Sequence, residues 1–281
     1  MIRNSMRTML VSLLALMLGQ AASAQPESTV VGFDGGSNGG FGGNAFFESE
    51  GGNPAGNAHF FLETFGIELR TGALGEPANP SFLGDYSAFS NIVFGVDVRV
   101  DTLQFFGNPV PHNLGVALID RDIQGPSGAS GVWYPLGVIS EALTPDWTRL
   151  EVVIEDPTQA ELPAGWIGFG DEDPDTFMPI LPKGASFATV LASVDEVRIT
   201  TFEPGFFYGF TVFDVRVDNV RVDVTSPCVG DLDGNGAVDV DDLLAVLAAW
   251  GNTEGPEDLD ENGMVDVDDL LLLLGAWGPC V

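Results

Sequence analysis

One twelve-residue motif occurs twice near the C-terminal end of the chain, and it constrains the structure more than any other feature. The first copy, residues 231–242, reads DLDGNGAVDVDD, and the second, residues 258–269, reads DLDENGMVDVDD. Extended to residues 231–251 and 258–278, the copies share 16 identities in 21 positions, and both end in AWG. A repeat of this length indicates two copies of one small structural unit that stabilise each other by packing.

Each copy places oxygen-bearing side chains at positions 1, 3, 5, 9 and 12, which is the spacing of an EF-hand-type loop around a hard cation. Gly236 and Gly263 occupy position 6, where the chain turns sharply and a Cβ is expected to obstruct. Position 7 contributes a backbone carbonyl oxygen. The motif therefore predicts two calcium ions, and the alternative is a pair of solvated acidic turns. The predicted ligands are Asp231, Asp233, Asn235, Ala237, Asp239 and Asp242, then Asp258, Asp260, Asn262, Met264, Asp266 and Asp269.

An apolar helix is predicted to begin inside each loop and to stop at Gly251 or Gly278, because glycine readily adopts the left-handed conformation that ends helices. Val238 and Val265, at position 8, are expected to pair the two loops through a short strand segment. The same four apolar positions recur in both helices, so the helices are expected to pack face to face. These residues are Leu243, Leu244, Leu247 and Trp250, which recur as Leu270, Leu271, Leu274 and Trp277.

Two such loops, each closing with Asp and each followed by one helix, resemble a type I dockerin over the 54 residues from Cys228 to the end. The resemblance implies a calcium-dependent module that docks a bacterial secreted protein onto a cohesin-like partner. Familiar dockerins often carry a Ser-Thr-like pair at positions 10 and 11, whereas this chain has Val240-Asp241 and Val267-Asp268. The chain's own N-terminal domain is the alternative partner.

The N-terminus predicts a signal peptide, with basic Arg3 and Arg7, a short apolar centre and the small residues of a cleavage site ending at Ala24. An uncleaved membrane anchor is the alternative. Cleavage there would leave eight basic residues against 41 acidic ones, a net charge of −33. So large a negative charge excludes nucleic acid and anionic lipid as electrostatic partners. No later stretch is long enough to span a membrane. The sequence thus predicts a protein that is secreted or held at the cell surface.

The two cysteines flank the repeat, because Cys228 precedes the first loop and Cys280 follows the second helix. In an oxidising compartment we expect a disulfide between them. A short linker, residues 225–227, precedes this module. The predicted organisation is therefore a signal peptide (residues 1–24), a β-domain (residues 25–225) and a calcium-binding module (residues 226–281).

Period-two alternation dominates residues 28–225 and predicts strands without helices between them. In residues 96–101, VDVRVD, the valines share one face and the charges the other; residues 220–224 alternate in the same way. Turn clusters separate these segments from further strand candidates at residues 114–119, 132–139, 147–155, 194–202 and 206–217. The pattern predicts a mainly β fold, an antiparallel β-sandwich followed by two small loop-helix repeats.

Four segments resemble the jelly-roll sandwiches of carbohydrate-binding modules and laminin-type domains: FDGG at residues 33–36, GGNP at 51–54, FLGD at 82–85 and VDNVRV at 217–222. This resemblance implies a polysaccharide ligand. The first and last strands are expected to pair, which would bring Asp34 and Asp218 together, where they could share a structural calcium.

Trp133, Tyr134 and Trp166 are the candidates for stacking on sugar rings, and packing into the core is the alternative for each. Neither His59 nor His112 lies in a nucleophile motif. Three functions follow as hypotheses. The first is a non-catalytic protein that binds polysaccharide or cell-surface material and docks through calcium. The second is a small glycoside hydrolase or lyase, because acidic pairs are plentiful. The third is a structural surface or matrix protein.

Overall fold

The structure is a computed structural model that describes residues 25–126, 128–253 and 255–280. The predicted signal peptide and its cleavage site lie outside these residues. The described strands and helices are, in chain order, β1 (Thr29–Val31), β2 (Gly42–Gly43), β3 (Phe46–Gly52), β4 (Ala55–Thr64), β5 (Glu68–Thr71), β6 (Asn91–Phe105), β7 (Asn108–Pro109), β8 (His112–Gly125), β9 (Gly128–Ile139), β10 (Thr148–Ile154), β11 (Ile167–Phe169), β12 (Asp171–Glu172), β13 (Pro179–Ile180), α1 (Phe187–Leu191), β14 (Glu196–Thr200), β15 (Thr211–Thr225), β16 (Ala237–Val238), α2 (Val240–Ala248), α3 (Val267–Gly275) and β17 (Gly278–Pro279), with single 3₁₀ turns at Asp34–Gly36 and Pro80–Phe82.

Two antiparallel sheets form the body of the molecule. The first has the strand order β10-β6-β15-β4-β3, with β1 paired to β15 and β7 to β6; the second has the order β11-β9-β8-β14-β5-β2. Side chains from both sheets meet in one hydrophobic cluster. The predicted mainly β sandwich is therefore confirmed, as is the pairing of first and last strands, in which Val31 lies opposite Val220.

Alternation along the strands determines which side chains enter this core. On β6, Val96, Val98 and Val100 are buried, whereas Arg99 and Asp101 lie on the outer face. Val220 and Val222 of β15 are buried in the same way. Burying each such side chain contributes about 1.5–3 kcal/mol relative to exposure.

Three sequence predictions for the sandwich were incomplete. The strand expected at residues 206–217 begins only at Thr211, and residues 206–210 form a loop. The hairpin of β3 and β4 was not predicted, because its glycines and acidic residues obscure the alternation. A five-residue helix, α1, also interrupts the strands; Ser186 caps it, and it buries Phe187, Val190 and Leu191.

A second, smaller hydrophobic cluster lies in the C-terminal repeat. Val238, Val246, Ala249, Val265 and Leu273 form its buried centre. Within the described part of the chain, no helix combines the length and the apolar character needed to span a membrane.

The position-8 valines do not pair with each other, contrary to the sequence prediction. Val238 lies opposite Gly278, which follows α3. Val265 exchanges backbone hydrogen bonds with Gly251 and Asn252, which follow α2. Each loop is therefore joined to the segment that follows the other repeat's helix, and this exchange relates the two repeats symmetrically.

Candidate functional site

The first loop brings carboxylates to one point. Oxygen atoms of Asp231, Asp233 and Asp242 lie within 4.8 Å of one another. The Asp231 carboxylate accepts backbone hydrogen bonds from Gly234, Asn235 and Gly236, at 2.9, 3.1 and 2.9 Å. The loop therefore folds around its first carboxylate.

The second loop repeats the arrangement. Oxygen atoms of Asp258, Asp260 and Asp269 lie within 4.8 Å of one another. Asp258 accepts a hydrogen bond from the Gly263 N–H at 2.9 Å through Oδ2. Its Oδ1 is covered and has no hydrogen-bond partner among the described residues. A covered carboxylate oxygen without a donor is costly unless a cation approaches it.

The position-12 side chains, Asp242 and Asp269, hold the two ends of each loop together by hydrogen bonds. Asp242 and Asp269 are fully buried. Asp242 accepts backbone N–H groups from Leu232 at 2.7 Å and from Asp239 at 2.8 Å. Asp269 does the same with Leu259 and Asp266, at 2.6 and 2.7 Å. These hydrogen bonds lower the pKa of both carboxyl groups, and the bond from the position-9 N–H has the largest effect. The carboxylates therefore stay ionised at the start of each helix.

Positions 5 and 9 have structural roles in the loops, and Asp239 and Asp266 are not among the carboxylates that converge. Asp239 and Asp266 cap α2 and α3 by accepting the backbone N–H two residues on, each at 2.9 Å. Asn235 accepts the Ala237 N–H at 2.9 Å, and Asn262 contacts Asp260 at 2.8 Å. The side chains that converge in each loop are thus carboxylates, which are hard oxygen donors of the kind that calcium takes.

Glycine is needed at position 6 for a different reason from the one expected. A Cβ at Gly236 or Gly263 would meet nothing within 4 Å, so obstruction is not the cause. Their φ angles are 87° and 91°, a region that residues with a Cβ rarely adopt. Glycine is required by the backbone conformation of the loop.

The predicted disulfide is present and joins Cys228 to Cys280, with 5.5 Å between the Cα atoms. It ties together residues 52 positions apart. Closing a loop of that size in the unfolded chain stabilises the fold by up to about 4 kcal/mol.

The two helices expose most of the face that the sequence predicted to be buried between them. Val246 and Leu273 are buried instead, and Leu243 and Leu270 are half-buried. The remaining six positions, three in each repeat, are between 47% and 60% exposed: Leu244, Leu247, Trp250, Leu271, Leu274 and Trp277. Helices of nine residues around such small loops are too short to cover these side chains with each other.

Two of the three proposed sugar-stacking aromatics, Trp133 and Trp166, are buried, and Tyr134 is half-buried. Trp166 is 7% exposed and packs against Phe187 and Tyr134, with 5.2 Å between ring centroids in both cases. Trp133 is 1% exposed. Burial of this extent favours packing, the alternative that the sequence left open.

A cleft of about 460 Å³ lies on the outer face of the second sheet, beside Trp133. The indole nitrogen of Trp133 is buried over Gly115 and has no hydrogen-bond partner among the described residues. Four carboxylates and one guanidinium border the cleft. Its charged and aromatic lining residues are Glu68, Asp171, Glu172, Glu203, Arg198, Trp133, Phe169 and Phe202.

The same sheet carries an ion-pair ladder that the sequence analysis missed. Glu196, fully buried, contacts Arg121 and Arg198, and Arg198 also contacts Glu68 at 3.1 Å. Arg70 continues the ladder to Glu68 at 2.8 Å. The sequences of β14 and β5, EVRIT and ELRT, alternate charged and other residues, and this alternation could have predicted the ladder.

Asp218 is fully buried where β1 and β15 pair, and burial raises its pKa to about 6. It accepts backbone hydrogen bonds from Asn53 and Asn219. Asp34 is exposed, yet its Oδ2 and the Asp218 Oδ1 both lie within 4 Å of the point where a Gly32 Cβ would stand. The two residues approach each other as expected, and a shared calcium there stays a prediction.

Comparisons with known proteins add little to this geometry. The sequence matches no protein-family model and no curated protein. One similar solved structure is the family 30 carbohydrate-binding module of a cellulosomal cellulase of Clostridium thermocellum, at 12% identity and a TM-score of 0.31, covering 73% of this chain and 96% of that one. Another is the Trypanosoma rangeli sialidase, at 15% identity and a TM-score of 0.27, covering 59% of this chain and 25% of that one. Similarity at this level carries no functional argument.

Proposed function

We propose that this protein is secreted and non-catalytic, that its C-terminal module folds on two calcium ions and docks, and that its sandwich binds polysaccharide or cell-surface material. The observation that carries the calcium proposal is the convergence of three carboxylates in each loop. The module holds 13 acidic residues and no Lys, Arg or His. Two calcium ions would supply the positive charge that the module's own side chains lack, so binding free energy would become folding free energy.

Calcium titration of the full chain tests this proposal. Wild-type protein should bind two ions by calorimetry, and the double variant Asp231→Ala with Asp258→Ala should lose both. Asp241→Ala with Asp268→Ala removes the same charge from exposed residues outside the predicted ligands, so it is the matched control and should still bind two ions. No heat of calcium uptake by the wild type, or equal losses in both double variants, would refute the assignment.

The exposed apolar side chains of the module support docking. Six large side chains, three from each repeat, stay about half exposed on the two short helices. Large exposed apolar patches on soluble proteins mark interaction sites. The partner that the dockerin resemblance suggests is a cohesin-like protein. A pull-down with an immobilised cohesin should retain the wild type only with calcium, and Leu247→Asp with Leu274→Asp should abolish retention.

Polysaccharide binding is assigned to the cleft beside Trp133. Its accessible aromatic side chains are Phe169 and Phe202, since Trp133 is buried, and its single guanidinium is already paired with Glu68 and Glu196. The surplus of carboxylates favours a neutral or amino sugar over an acidic one. Asp171→Ala with Glu172→Ala should weaken retention on a glycan array. Glu151→Ala with Glu155→Ala, exposed residues of the other sheet, should not.

The glycoside hydrolase hypothesis is tested on the same ligands. A reducing-sugar assay with any polysaccharide that the array identifies should show no release of ends. Release that disappears in the Asp171→Ala, Glu172→Ala variant would replace the binding proposal with the enzymatic one.

A further inference from the structure

Seven phenylalanines form an exposed patch at one end of the sandwich, on three separate connections. They come from the β4–β5 turn, the β6–β7 hairpin and the loop between β14 and β15. Their exposed fractions range from 37% for Phe105 to 86% for Phe106. The set, here called the phenylalanine patch, is Phe65, Phe105, Phe106, Phe202, Phe206, Phe207 and Phe210.

Contacts between the three connections make the patch continuous. The Phe65 ring lies 5.2 Å from Phe207 and 4.9 Å from Phe210, measured between centroids. Phe105 lies so close to the backbone of Gly209 that a Cβ there would stand 2.3 Å from its ring. Phe202 lies over Gly66 in a similar way, at 2.9 Å. Phe106 lies 4.5 Å from Phe105, and Phe206 lies 4.6 Å from Tyr208 of the same loop, both between ring centroids. The three connections therefore share one aromatic surface.

The patch is poor in charge although the chain is strongly acidic. Among residues 64–66, 105–108 and 202–210, Glu203 is the one charged side chain. Its Oε2 accepts hydrogen bonds from the Asn113 amide at 2.7 Å and the Tyr208 hydroxyl at 3.3 Å. A sugar ligand needs several polar groups to orient it. The cleft beside Trp133, which Phe202 and Glu203 also border, has such groups, whereas the rest of the patch offers few.

The C-terminal module is attached at the far end of the sandwich. The patch adjoins Thr211, the first residue of β15, whereas the linker, residues 225–227, begins at Thr225, the last. Fifteen strand residues separate the two ends by about 45 Å. Ser28, near the first described residue, also lies at the linker end, where it bonds Val224 at 2.9 Å. A three-residue linker cannot bring the module over the patch.

The area of the patch matches one side of a stable dimer. With about 200 Å² for a whole phenylalanine side chain, the exposed fractions amount to about 800 Å². Typical monomers expose patches of about 300–600 Å², and a standard interface buries about 800 Å² per partner. We propose that a second copy of this chain covers the phenylalanine patch, through a twofold interface in which the same charge-poor surface meets itself.

Sedimentation velocity on the full chain with calcium tests this proposal. Wild-type protein should be a dimer at tens of micromolar. Phe106→Asp with Phe207→Asp should weaken association about a hundredfold or more, because each copy would bury two carboxylates. Leu74→Asp is the matched control, since Leu74 is 84% exposed outside the patch, and it should stay dimeric.

The milder pair Phe106→Ser with Phe207→Ser is measured in parallel, in case the charged variant does not fold, and it should also shift the protein toward monomer. Co-sedimentation with phosphatidylcholine vesicles separates a second copy from a bilayer. A wild-type monomer at all concentrations, a dimer that persists in both patch variants or is equally lost in Leu74→Asp, or patch-dependent vesicle binding by a monomer would overturn the proposal.

Discussion

The sandwich and the C-terminal module neutralise their carboxylates in different ways. The sandwich has seven arginines, and every one contacts a carboxylate. The module has no basic side chain, and its buried Asp242 and Asp269 contact only backbone N–H groups among the described residues. The sandwich therefore has cationic side chains for part of its carboxylates, whereas the module has none, so we expect the module to depend on cations from solution.

Chelation should separate the two regions most strongly. Scanning calorimetry of the full chain with calcium should show two transitions, and excess EGTA should remove the module's transition while leaving that of the sandwich. At free calcium a thousandfold above Kd, each ion contributes about 4 kcal/mol to stability. Helical circular dichroism should fall in parallel. If both transitions stay unchanged in EGTA, the module does not depend on metal.

Replacing Glu196 should destabilise the sandwich without regard to calcium. Glu196→Gln leaves Arg121 and Arg198 without their buried partner, and breaking a buried ion pair costs about 3 kcal/mol or more. Urea unfolding should show this loss equally with calcium and with EGTA. Glu155→Gln is the same substitution at an exposed residue, and it should leave the free energy of unfolding nearly unchanged. A calcium-dependent loss would show that the two regions are not independent.

Acid should destabilise the sandwich through His112. This residue is 2% exposed, its ring stacks on Tyr208 with 3.9 Å between centroids, and burial lowers its pKa from 6.5 to about 4. Below pH 6.5 the His112 side chain is protonated in the unfolded chain but stays neutral in the folded one. The free energy of unfolding therefore decreases as the pH falls, by up to about 3 kcal/mol near pH 4.

The variant His112→Phe keeps the stacking and removes the titration. The stability difference between wild type and this variant, measured by urea unfolding from pH 7 to pH 4, should shift against the wild type as pH falls. A difference that is constant with pH would contradict the neutral buried state of His112.

The smallest expected effect compares the two loops with each other. At position 4, Gly234 has φ 74° and Glu261 has φ 55°, a conformation unfavourable for glutamate. Glu261→Gly should stabilise the module by about 0.5–1 kcal/mol. Relief of the backbone strain at this position is expected to exceed the cost of the larger conformational entropy that glycine gives to the unfolded chain. Gly234→Ala should have the opposite sign in the same thermal assay. A loss of stability in Glu261→Gly would show that its side chain matters more than its backbone.

Local sequence determined much of what is seen. Six of the twelve predicted ligands, three carboxylates in each loop, come together because the loop backbone folds around the carboxylates at positions 1 and 12. Cys228 and Cys280 formed the expected disulfide. The alternation in β6 and β15 predicted which valines are buried, since side chains on a strand alternate between two faces.

Only the tertiary structure decided how distant segments meet. The position-8 valines pair with segments beyond the other repeat's helix, and the Leu and Trp positions of those helices stay exposed. The cleft beside Trp133 and the phenylalanine patch each combine residues from several strands or loops that lie far apart in the chain. Apolar periodicity shows that a face exists, but whether a neighbour covers that face depends on the length of the elements and on where the chain returns.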